Sequence, residues 1–146
     1  MSKNVDTTGF VDLTKELASL ADELYAHDGH YGRTTRYVLQ MGATPVYMKM
    51  RENASRDPKP ITRTLLNSIK IGNVIKRRRG GWSIQIGVRR GEKGADYANP
   101  LEYGHGGPHP APAHPFVRPA FDEAKEEAYA KMKEILIQAI DARKKK

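Results

Sequence analysis

The sequence predicts an α+β domain: a small antiparallel sheet packed against N-terminal helices and a long C-terminal helix. Three patterns carry this prediction. Apolar residues recur at spacings of three and four in the first third of the chain and again near its end. Around Trp82 they alternate with a period of two. A Gly80-Gly81 pair separates that alternation from a weaker one before it.

Phe10, Leu13, Leu17, Leu20 and Leu24 form one face of an amphipathic helix, with Asp12, Lys15, Glu16, Asp22 and Glu23 elsewhere on its surface. Gly29, after Asp28, supplies a stop. Such a helix is marginal alone, so its leucine face needs a partner within the chain or in a neighbouring subunit. Arg33 to Ala54 is a second helical region, with Val38, Met41, Val46, Met50 and Ala54 as inward positions. Thr44-Pro45 falls inside it, and proline breaks or kinks a helix interior. Two short helices, or one kinked helix, are expected there. The segment SRDPKP is a loop by composition, and TRTLLNS a further helical turn.

Trp82, Ile84, Ile86 and Val88 then alternate with Ser83, Gln85, Gly87 and Arg89, the pattern of a half-buried strand. Ile69, Ile71 and Ile75 supply its antiparallel partner, and Gly80-Gly81 the turn. Lys76, Arg77, Arg78 and Arg79 therefore sit at the tip of a hairpin. In the last helix, Pro119 suits the first position and Asp122 and Glu123 the positive end of the dipole. Phe121, Ala124, Ala128, Met132, Ile135, Leu136 and Ala139 form its inward stripe.

One domain over residues 1–146 accommodates these elements, with a flexible end at 1–8 and a basic tail at 142–146. A chain of this size buries roughly 68–70% of its unfolded surface, so it needs no disulfide or metal to fold. It contains no cysteine, which excludes disulfide scaffolds, thiolate metal sites and cysteine nucleophiles. No apolar run approaches the ~18 residues of a membrane span. The first residues lack the apolar core of a signal peptide, so synthesis in the cytoplasm is expected. The net charge of +8 is unevenly placed. Residues 1–50 carry net −1, residues 51–93 net +9, and residues 94–146 none. A field of that kind suits a polyanion or an acidic protein surface, or is simply a solvated face.

The stretch DYANPLEYGHGGPHPAPAHPFVRPAF, residues 96–121, gathers histidines, a glutamate, tyrosines and prolines. His105, His109 and His114 have spacings that a helix could use for a metal, but Pro108, Pro110, Pro112 and Pro115 forbid the helix. In an extended chain rising ~3.1 Å per residue, His105 and His109 stand roughly 12 Å apart. No nucleophile elbow, phosphate loop or paired-carboxylate motif accompanies Glu102, so acid–base catalysis has no machinery. No metal, cofactor or enzymatic activity is expected. Construction fits better. Asn99 and Pro100 can start a helical turn, Gly104 can end it, and Phe116 can pin the approach to the last helix.

Tyr97-Ala98, then Leu101-Glu102-Tyr103-Gly104, then Pro115-Phe116-Val117-Arg118-Pro119-Ala120 form a series. It resembles the signature of the neck or tail-completion proteins of long-tailed bacteriophages and prophages. Thr62 to Ile69 resembles that family's Thr-Gly-x-Leu-x-x-Ser-Ile segment, with Arg63 in place of its glycine and His105 in place of a common threonine. The resemblance implies that Tyr97, Glu102, Gly104, Phe116, Arg118 and Pro119 are structural positions. It implies a virion protein at the head–tail interface, in a homo-oligomeric ring around the DNA channel, with six copies as one option. Its partners would be other neck and tail proteins: a head-completion or stopper protein, a tail terminator or a tube protein. Within that setting Lys76, Arg77, Arg78 and Arg79 would contact either passing DNA, without sequence preference, or a partner. The alternative is a small basic RNA- or DNA-binding protein, favoured by Tyr31, Tyr37, Tyr47 and Trp82 among basic residues. No RNP, KH or helix-turn-helix pattern supports it.

Overall fold

Two long antiparallel helices form the frame. The computed structural model describes residues 32–56, 63–76, 78, 81–89, 91 and 95–145, with Lys15, Leu17, Ser19 and Leu20 before them. The expected stop at Gly29 and the flexible end at 1–8 lie outside the described residues. Helix α1 spans Gly32–Ser55 and α4 spans Val117–Lys144. They pack along their length. Val38 meets Leu136 and Ile140, Val46 meets Ala124 and Ala128, and Met50 and Ala54 meet Phe116 and Ala120. Leu17 and Leu20, two positions of the expected leucine face, pack on the Val38 cluster, while Phe10, Leu13 and Leu24 lie outside the described residues.

Small residues set the spacing of the two helices. Gly42 faces Met132 so closely that an added Cβ would lie 2.4 Å from Met132 Cγ. Glycine inside a helix costs about 1 kcal/mol relative to alanine, and here that cost secures interhelical contact. Of the two expected arrangements, two short helices do not occur, and α1 is one helix with Pro45 inside it. Proline leaves the Met41 carbonyl without its usual donor. Pro45 is itself buried, so tertiary packing holds a geometry that local preference disfavours.

A short helix, α2 (Arg63–Ser68), leads into the hairpin. Ser68 is buried, and its hydroxyl donates to the carbonyls of Thr64 and Leu65. Leu65 and Ile69 are buried beside it, so the Leu-x-x-Ser-Ile run is core. Arg51 ties α1 to this turn by donating to the Leu66 carbonyl (2.9 Å) and the Tyr47 hydroxyl (3.1 Å).

The hairpin is antiparallel, as expected, in two short ladders. Strand β1 (Ile69–Ile71) pairs with β4 (Ile86–Val88), with Ile69 opposite Val88 and Ile71 opposite Ile86. Strand β2 (Ile75–Lys76) pairs with β3 (Trp82–Ser83), with Ile75 opposite Ser83. Three residues, Gly72–Val74, face only two, Ile84 and Gln85, so the register slips by one between the ladders. A one-residue slip exchanges the faces of a strand. Ile75 therefore leaves the face of Ile69 and Ile71 and is half exposed, contrary to the simple alternation. Ile86 and Val88 pack on the Met50–Phe116 cluster, which seats the sheet against both long helices.

The third helix, α3, spans Ala95–Tyr103. It begins before the expected start, so Pro100 lies inside it and Asn99 is not its cap. Phe121 is a second departure in side-chain placement. It is 44% exposed, and the buried stripe of α4 instead runs Ala120, Ala124, Ala128, Leu136 and Ile140.

Candidate functional site: a capped helix entry and a basic hairpin

The last helix starts at Val117, so Pro119 is its third residue and not its first. All these positions belong to the first turn, where the missing N–H of proline costs nothing. Neither Phe116 nor the first turn supplies a capping oxygen or an acidic group. Asp122 and Glu123 lie too far along to serve the positive end. Glu102 does so from α3. Its Oε2 accepts from the N–H groups of Phe116 (2.7 Å) and Val117 (2.9 Å), and its Oε1 from that of Arg118 (3.2 Å). Glu102 is 5% exposed. A buried carboxylate needs such partners, and donors at a helix N-terminus with the dipole behind them are well suited.

The rest of the motif holds this carboxylate in place. Gly104 ends α3 with φ +72°. A Cβ there would lie 2.8 Å from the Ala111 carbonyl oxygen, so the position excludes side chains for two separate reasons. The chain then closes a small loop: the His105 N–H donates to the Ala111 carbonyl (3.0 Å), and the Ala111 N–H to the His105 carbonyl (2.9 Å). The His114 N–H returns to the Leu101 carbonyl (2.7 Å). Phe116 is 1% exposed, among Met50, Ala54, Ile69 and Ala120. The Arg118 guanidinium reaches Glu102 Oε1 (3.5 Å) and stacks on Tyr103, 4.9 Å from the ring centroid. Arg118 is mostly exposed, so this pair is worth about 0–1 kcal/mol and trims the site without founding it. Tyr97 and Tyr103 are exposed.

The acid–base option for Glu102 is thus occupied by structure: both carboxylate oxygens are committed to backbone donors. His105 and His109 are exposed and His114 is partly buried. Among the described residues no three histidines or carboxylates gather as a metal set.

At the opposite end of the frame the hairpin turn carries the basic run. Gly81 has φ +81°, as the turn requires. Lys76 ends β2 and Arg78 is exposed in the turn. Arg77 and Arg79 lie outside the described residues. Sequence reasoning missed a neighbour: the Arg36 guanidinium of α1 lies over Trp82, 5.7 Å from the ring centroid. The hairpin thus runs along α1 with its turn toward the start of that helix. No helix among the described residues is long and apolar enough to cross a membrane.

These features define a class: a small, mostly helical α+β protein whose distinctive polar motif fixes a helix, with a run of four basic residues between the inner strands of its hairpin. Residues 12–104 match the family described as "Bacteriophage HK97-gp10, putative tail-component", and the chain belongs to this HK97-gp10-like family of phage tail components. The matched stretch includes α1, the hairpin, Tyr97, Glu102 and Gly104, and stops before Phe116, Arg118 and Pro119. Comparisons with curated proteins and with solved structures give no match.

Proposed function

We propose that this tail component completes or joins the phage tail at the head–tail interface, as a homo-oligomeric ring around the DNA channel. The observation that carries the reading is the polarity of the frame. Two rigid helices hold a stiff, uncharged loop at one end and a basic hairpin turn at the other. The loop at 104–115, already ordered by its own backbone bonds, would meet a neighbouring neck or tail protein at low entropic cost. Lys76, Arg77, Arg78 and Arg79 would face DNA in the lumen or an acidic partner surface. The role is structural and uses no cofactor.

The test is a phage or prophage in which the gene is deleted and complemented in trans. Deletion should leave separate heads and tails, or tails that fail to join. Complementation with the Arg77→Gln, Arg78→Gln, Arg79→Gln variant then separates the options. Loss of joining identifies a docking surface. Normal joining with poor DNA retention or ejection identifies the lumen. Normal yield of infectious particles removes the hairpin turn from the account.

A further inference from the structure

The basic hairpin turn is one part of a larger positive pole. Three segments that are far apart in sequence end at the same place. Val38 packs against Leu136 and Ile140, which fixes the alignment of the antiparallel helices. Arg33 lies five residues before Val38, and Lys145 five beyond Ile140. At 1.5 Å per residue each projects ~7.5 Å past that contact, in the same direction. Trp82 brings the hairpin to this end, because it lies under Arg36 and is paired with Lys76, next to the turn that holds Arg78. Arg33, Arg36, Arg78 and Lys145 are all exposed. Among the described residues, the acidic groups nearest this end of α4 are Asp141 and Glu134, and Glu134 is engaged by Gln138.

We infer that this pole is a phosphate-binding surface for duplex DNA, with Arg33, Arg36 and Arg78 making the backbone contacts. The inference rests on the reading of the hairpin turn as a contact surface and adds residues of α1 to it. Arginine dominates the pole, and its planar fork of donors suits phosphate oxygens. Trp82 holds Arg36 by its ring face, which lowers the freedom that guanidinium would lose on binding. The contacts assigned here are to backbone phosphates, which carry no sequence information, so they give no sequence preference. Phosphate contact without base readout is weak, on the order of 10⁻⁴ to 10⁻⁶ M at physiological salt.

The experiment titrates the full chain against a fluorescent 30-base-pair duplex by anisotropy, from low to moderate salt. Each phosphate contact contributes roughly 0.9 to the slope of log affinity against log salt. R33Q should reduce the slope by about 0.9, R33Q/R36Q by about 1.8, and R33Q/R36Q/R78Q by about 2.7. A control with two arginines removed at the far end, R56Q/R63Q, should keep the wild-type slope. Circular dichroism confirms that each variant is folded, and R33Q carries the test should R36Q disturb Trp82. An equal loss in the control would overturn the inference, since net charge alone would then explain binding. So would absence of duplex binding at low salt. Equal affinity for polyglutamate at matched charge would overturn it in favour of an acidic protein partner. Virion incorporation is read separately, so a chain that joins tails but does not bind DNA refutes this inference and leaves the tail role intact.

Discussion

Replacing Glu102 tests the structural site most sharply. Glu102→Ala removes one carboxylate and leaves three backbone N–H groups without their acceptor. The Phe116 N–H is buried, and an unsatisfied buried donor costs about 1–3 kcal/mol. The N–H groups of Val117 and Arg118 are nearer water and recover part of their bonding there. Removing a cap costs ~0.5–2 kcal/mol, and the lost charge at the dipole overlaps with that figure. The terms are not independent, and together they give about 3 kcal/mol. Glu102→Gln keeps the shape and one good acceptor but places an amide NH2 among donors, so about 2 kcal/mol is expected on the same scale. Each kcal/mol moves the melting temperature by roughly 3 °C for a chain of this size, so the alanine variant should melt about 9 °C lower. Urea unfolding followed by circular dichroism gives the order wild type, Gln, Ala, with an unchanged dependence on denaturant. A loss under about 0.5 kcal/mol for Glu102→Ala would refute the capping role, because ordinary surface changes fall in that range.

Other substitutions probe the remaining construction. Gly104→Ala should cost at least about 2 kcal/mol by the same unfolding assay, from the left-handed backbone and the contact with Ala111. Gly42→Leu should cost about 1–3 kcal/mol by overpacking, with much of the loss recovered in the double variant with Met132→Ala. Phe116→Ala should cost about 3–5 kcal/mol, as a buried aromatic does. Phe121→Ser, at a position exposed in the isolated chain, should stay within about 0.5 kcal/mol.

The frame was legible because its signals are local. The period of α1, the alternation around Trp82 and the glycine turn each follow from neighbours in sequence. Departures arose where distant contacts decide. Ile75 turns outward because of one extra residue in a strand, which no count of alternating positions reveals. Glu102 caps a helix that starts fifteen residues later in the chain, beyond the reach of spacing rules. One trace of it was present: no capping side chain precedes Val117, which leaves donors that something else must satisfy. Arg36 over Trp82 left no such trace. Glu102 caps a helix, Gly104 takes a left-handed turn and Phe116 fills the core.

The proposed role places this chain in the phage tail at its junction with the head. The most direct measurement is quantitative mass spectrometry of purified virions made with and without the gene, paired with negative-stain microscopy of the lysates. A protein in that role is present in a fixed small number of copies per virion, and heads and tails stay unjoined in its absence. Infectious, fully joined particles that contain none of the protein would contradict it.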